Sequence, residues 1–136
     1  MNRPILIGYQ LLIGISDSLT GALLQVVPGF TLRVLSLHAP SDALAYVAFV
    51  GAFVFSVGLS CLYGAYLAYH GGNRTQIEIV WLLTAFARAS VACFVAVQVF
   101  TGKFEAGWLA VAAFDGVCVL IQAIGLRKGW LAHAAR

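Results

Sequence analysis

Charge is what this sequence has least of. Only 10% of its 136 residues are Asp, Glu, Lys or Arg, against about 25% in soluble domains, so a surface facing water on all sides cannot be built from this supply. The net charge of +3 is small and is not gathered into the lysine- and arginine-rich face of a nucleic-acid binder, which excludes nucleic acid as a partner. Cysteine is scarce too. Cys61, Cys93 and Cys118 all lie in apolar runs, without a C-x-x-C pair or a neighbouring histidine; they read as small packing hydrophobes rather than redox or metal-binding groups. The three histidines, His38, His70 and His133, fall at or beyond the ends of apolar runs, which argues against a haem held between intramembrane histidines. There is no Ser-His-Asp order, glycine-rich phosphate loop or metal-ligand spacing. Neither cofactor nor metal is expected, and the expectation leans away from an enzyme.

What the sequence has in quantity is apolar side chains, 62% of the chain. They fall into four runs, 4–27, 43–69, 76–100 and 104–126, each longer than the roughly 20 residues a helix needs to cross about 30 Å of hydrocarbon. Backbone groups in lipid must satisfy one another within the segment, so these runs are helices. The first carries Asp17 in its middle and outlasts the about 7–15 apolar residues of a secretory leader; it reads as a retained span. The fold expected is all-α: one domain over 1–136, an integral membrane antiparallel four-helix bundle.

The breaks between runs carry helix punctuation. Pro28-Gly29 stops the first helix, and Ala39-Pro40-Ser41-Asp42 sets an N-cap before the second. Gly71-Gly72 ends the second, and Thr75-x-x-Glu78 has the form of a capping box opening the third. Thr101-Gly102-Lys103 makes a tight turn, with Glu105 in the first turn of the helix that follows. Phe30–Leu37 is too short to span and, with Arg33 among its apolar residues, is expected to lie in the interface. Arg3, Arg74, Arg127, Lys128 and Arg136 fall on one side, against Arg33 and Lys103 on the other, which places both termini in the cytoplasm. Tyr9, Tyr66, Tyr69, Trp81, Trp108 and Trp130 fall near run ends, where amphipathic rings favour the headgroup region.

Small residues recur every four positions: Ala52, Ser56, Ser60, Gly64 and Ala68 in the second helix, and Gly14, Ser18 and Ala22 in the first, with Ala85, Ala89 and Cys93 in the third. Such stripes let helix backbones approach closely, within the bundle or against a partner.

One constellation has chemical content. Asp17, Arg88 and Asp115 lie near the middle of spans, where each charge costs about 2.5–3.5 kcal/mol. They are therefore expected to face inward and meet. Arg88 lies fourteen residues before Gly102 and Asp115 thirteen after it, which puts both about 20 Å from the turn. Asp17 lies eleven residues before Pro28, about 17 Å down from the same side. Supporting polar residues share these faces: Gln10 and Gly14 with Asp17, Trp81 and Thr84 with Arg88, and Cys118 and Gln122 with Asp115. Gln25 and Gln98 are fallback polar contacts nearer the outer side. The cluster admits three roles: a staple fixing helix register, a pocket for a polar headgroup, or a proton relay, which requires one acid to be protonated because two share one arginine.

The first helix ends in Pro28-Gly29-Phe30-Thr31-Leu32-Arg33-Val34-Leu35-Ser36-Leu37, and the second contains Gly51-Ala52-Phe53-Val54-Phe55-Ser56-Val57-Gly58-Leu59. This order of helix, apolar re-entry segment and glycine-bearing helix resembles the small four-helix bacterial membrane proteins of the DoxX-like kind. The resemblance implies a membrane subunit, in some cases associated with quinone-linked oxidoreductases. The expectation is a non-catalytic accessory or structural subunit in a bacterial cytoplasmic membrane. Its partners would be the lipid bilayer and other membrane subunits or further copies of itself. The alternative is a binder or enzyme acting on a lipophilic molecule, quinones included, around Asp17, Arg88 and Asp115.

Overall fold

The computed structural model describes residues 3–131; His133 and Arg136 lie outside them. Five α-helices follow one another: α1 Arg3–Val26, α2 Pro28–Val34, α3 Leu44–Tyr69, α4 Arg74–Phe100 and α5 Leu109–Arg127, with short 3-10 turns at Ser41–Ala43 and Ala106–Trp108. Among the described residues there is no strand. α1, α3, α4 and α5 are each long and apolar enough to cross a membrane, so the chain is an all-α membrane protein with four candidate spans.

The spans alternate in direction. At one end, called here the terminal end, the start of α1, the end of α3, the start of α4 and the chain after α5 converge on a buried apolar cluster of Leu6, Leu67, Ala68, Ile77, Trp81 and Leu131. At the opposite end Leu24, Leu32 and Leu37 form a second cluster, packed by Leu44, Val47, Trp108 and Val111. The short interfacial segment is helical: Pro28 opens α2 at its first position, where a missing N–H costs nothing. Thr31 and Leu32 turn inward, while Phe30, Arg33 and Val34 face outward. Ser36 (φ 57) closes the segment, and the Leu37 amide donates to the Leu32 carbonyl at 2.8 Å.

Several local expectations need correction. The cap of α4 is Asn73 rather than Thr75: Asn73 Oδ1 accepts from the Thr75 amide at 3.1 Å, and Gln76 Oε1 accepts from the Asn73 amide at 3.2 Å. Asparagine is the stronger N-cap residue, so the box sits two residues earlier, and Glu78 instead accepts from Arg74 at 2.7 Å. The last span starts near 106 rather than 104. The Gln98 carbonyl accepts from both the Lys103 and Phe104 amides, and Glu105 is extended (φ −65, ψ 152), so the helix opens only beyond it. Glu105 meets His38 across 3.2 Å, joining the segment after α2 to the α4–α5 turn. No side-chain cap bond precedes α3. Trp81 is no belt residue: it is fully buried, lying against Gly125 and Tyr9.

The closest helix pair is α1 with α3, and its seam differs from the stripe expected. Gly14 and Gly21 on α1 face Gly51 and Gly58 on α3. A Cβ added at Gly58 would lie 2.9 Å from the Gly14 carbonyl oxygen, and one at Gly21 2.7 Å from the Gly51 carbonyl oxygen. Gly64 and Ala68 are buried at the terminal end, and Ser18 lies against Gly58. Ser56 and Ser60, however, are exposed, their hydroxyls returned to the Ala52 and Ser56 carbonyls at 2.8 and 2.9 Å. Ala52 is half-buried and Cys93 exposed. The seam follows a seven-residue repeat of glycines, the period at which a residue returns to the same face of two long antiparallel helices; the four-residue serine row drifts off that face.

Candidate functional site: a buried ion triad and its polar surroundings

A helical rise of 1.5 Å per residue and the two-way alternation of the spans bring Asp17 of α1, Arg88 of α4 and Asp115 of α5 to one depth. Arg88 Nη1 donates to Asp115 Oδ1 at 2.6 Å, and Nη2 donates to Asp17 Oδ2. Arg88 is only 3% exposed, Asp17 7% and Asp115 9%. Phe114 lies beside the guanidinium, its ring centroid 5.7 Å from Arg88 Cζ, within cation–π range. α3 contributes to the same depth through Cys61, which packs with Ile13 and Cys118 into a small buried cluster covered by Tyr9.

Toward the terminal end a polar layer continues inward from these charges. Gln122 Nε2 donates to Thr84 Oγ1 at 2.8 Å, and Thr84 Oγ1 donates to the Val80 carbonyl at 2.8 Å. Gln10, fully buried, lies against Gly64: a Cβ there would meet Gln10 Nε2 at 2.5 Å. Both amide atoms of Gln10, the Tyr9 hydroxyl, Trp81 Nε1, Gln122 Oε1 and Arg88 Nε are buried without a hydrogen bond among the described residues, as is Ser18 Oγ beside the α1–α3 seam. Each unpartnered polar atom away from water costs about 1–3 kcal/mol. The interior is thus rich in polar groups between two apolar clusters, one at each end.

The triad can hold charge and accept hydrogen bonds, but its guanidinium is already engaged by both acids. Two surface grooves of the bundle do not reach it: one is lined by Leu59, Ser60, Tyr63, Val80 and Leu83, the other by Arg3, Pro4, Ile7, Gly8, Leu11 and Tyr69. Among the described residues no group of three or more His, Cys, Asp or Glu side chains could hold a metal. Gln25 stays outside the site; its amide folds back onto the Gly21 carbonyl of its own helix at 3.2 Å. Two contributors were not anticipated as such, Tyr9, expected in the headgroup belt, and Phe114; Cys61 packs as the small hydrophobe expected. Tyr9 carried a signal, since it lies four residues before Ile13 and eight before Asp17, on the same side of α1. Phe114 adjoins Asp115 in sequence, but its position over Arg88 depends on tertiary packing. No family model, curated protein or solved structure matches the chain.

Proposed function

We propose that this membrane protein is a non-catalytic accessory or structural subunit of a larger membrane complex, held in a bacterial cytoplasmic membrane with both termini in the cytoplasm. The observation that carries this reading is the internal pairing of the triad: both carboxylates meet one guanidinium, buried between three helices. A charged group arranged in this way holds three helices in register, with Nη1 and Nη2 each taken up by a carboxylate. The outward face of α3 supports the same reading. Tyr46, Phe49, Phe53, Ser56, Ser60 and Tyr63 are all exposed and follow alternating three- and four-residue steps. The serines form a narrow waist between aromatic bulges, where a transmembrane helix of another subunit can approach closely.

The test is purification from the native membrane in mild detergent. A protein retained at fixed stoichiometry, and released by Ser56→Leu with Ser60→Leu, is the expected result. Recovery of the chain with lipid alone would sink the subunit reading. The orientation has its own check. In a variant lacking Cys61, Cys93 and Cys118, a cysteine at Ser36 is expected to react with an impermeant reagent from outside and one at Asn73 to be spared; the reverse pattern overturns the cytoplasmic termini.

One observation favours a second reading, a binder of a lipophilic molecule bearing polar atoms, quinones included. Gln10, Tyr9, Trp81 and Gln122 bury polar atoms without partners in one layer, and carbonyl or hydroxyl groups of such a molecule would satisfy them. A stoichiometric small molecule in the purified protein, lost on Gln10→Leu, would favour this reading over the subunit.

A further inference from the structure

We propose that the groove at the terminal end of α1 binds one anionic phospholipid, with its phosphate at Arg3 and an acyl chain along Ile7, Gly8 and Leu11. The groove is a shallow, open surface depression of about 700 Å³ between the start of α1 and Tyr69. Its lining is apolar except at one end. There Arg3 Nε donates to the Ala68 carbonyl at 2.9 Å and Nη2 to the Tyr69 carbonyl at 2.6 Å. These bonds fix a positive charge on the last turn of α3, where the helix dipole favours it. Nη1 makes no hydrogen bond among the described residues and remains available for a phosphate oxygen.

Gly8 is the second observation. It is exposed, it lies inside a helix, and a Cβ added there would meet nothing within 4 Å. Neither packing nor a turn calls for glycine, which is about 1 kcal/mol worse than alanine in a helix. Its effect is to deepen the groove floor, and a missing side chain of this kind suits close approach of a ligand. From Arg3 to Leu11 the helix rises roughly 12 Å, most of the roughly 15 Å of one leaflet's hydrocarbon. Selection for negative charge follows from the surroundings: Arg74, Arg127 and Lys128 share this end, and its one acid among the described residues, Glu78, is engaged by Arg74. The groove between α3 and α4, lined by Leu59, Ser60, Tyr63, Val80 and Leu83, has no charged residue and offers no such selection.

Native mass spectrometry of the detergent-purified chain, titrated with phosphatidylglycerol or with phosphatidylcholine of identical acyl chains, tests this. The expected result is one phosphatidylglycerol retained per chain in preference to phosphatidylcholine. Arg3→Gln should weaken retention roughly fivefold, the effect of about one surface arginine. Gly8→Leu, which fills the groove in open space and leaves the helical circular dichroism unchanged, should abolish it. The Arg127→Gln, Lys128→Gln pair should have the smaller effect. Equal retention of both lipids, unchanged retention in Gly8→Leu, or loss in the Arg127/Lys128 pair alone would each overturn the proposal; the last would mean diffuse surface attraction without a site.

Discussion

Arg88→Leu is expected to leave little folded protein in detergent, with a loss of about 3–5 kcal/mol or more, because it strands two buried acids whose partner was that guanidinium. Folded domains hold only about 5–15 kcal/mol in all. The informative comparison is the triple variant Arg88→Leu, Asp17→Leu, Asp115→Leu, which strands nothing and is expected to unfold at a temperature near that of the wild type. Thermal unfolding followed by circular dichroism separates the two. A triple variant as damaged as the single one would show that the charges contribute beyond mutual neutralisation. A single variant as stable as the wild type would mean that Asp17 and Asp115 do not depend on Arg88. If the triple variant folds but no longer retains a partner, the cluster contributes to assembly as well as to register.

Gly58→Leu is expected to be the next most damaging change, and Ser60→Leu, two residues further along the same helix, to be nearly silent in the isolated chain. A Cβ at Gly58 would already collide with the backbone of Ser18 and Gly14. Backbone atoms cannot swing away as a side chain does, so α1 and α3 must separate along their whole glycine seam. Overpacking of this kind costs about 1–3 kcal/mol and occasionally more. Ser60 is exposed and lines an open groove, so leucine there meets lipid. The same unfolding measurement decides: equal destabilisation by both substitutions would place the α1–α3 contact on the serine row after all.

The number and type of elements could be derived from the sequence because lipid leaves the backbone few options. Runs of this length and apolarity form helices, and the structure has them within a few residues of the expected bounds. The errors lie where two local signals compete. Asn73 and Thr75 both have N-cap chemistry, and asparagine, the stronger N-cap residue, takes the position. Glu105 suits a first helical turn, but the preceding chain folds back onto the Gln98 carbonyl and delays the helix. The depths of Asp17, Arg88 and Asp115 could be counted from the turns, since helical rise is fixed. Their meeting followed from the cost of leaving any one of them alone in lipid, and the polar residues sharing their faces pointed the same way; the packing of the helices around them did not follow. The α1–α3 contact is set by the glycines at 14, 21, 51 and 58, whose seven-residue repeat is not marked by four-residue spacing of small residues. Trp81 carried two signals: its distance from the helix end suited a belt position and its face suited the interior beside Thr84 and Arg88, and Gly125 on α5, which opens a space for its ring, favours the second.

The contact between Asp17 and Arg88 joins residues 71 apart in the chain, and this bears on how the protein is made. α1 and α3 can associate as soon as both are synthesised, since their glycine seam needs nothing from the second half. That early intermediate carries Asp17 at mid-depth, with its only described cations, Arg3 and Arg33, near opposite ends of the segment. α4 and α5 together carry a cation and an acid that already satisfy each other. Biogenesis of the first half therefore yields a product with an unneutralised acid, which the arrival of α4 resolves. A chain stalled before Arg88 would leave that acid without its partner, whereas the completed one buries it against the guanidinium.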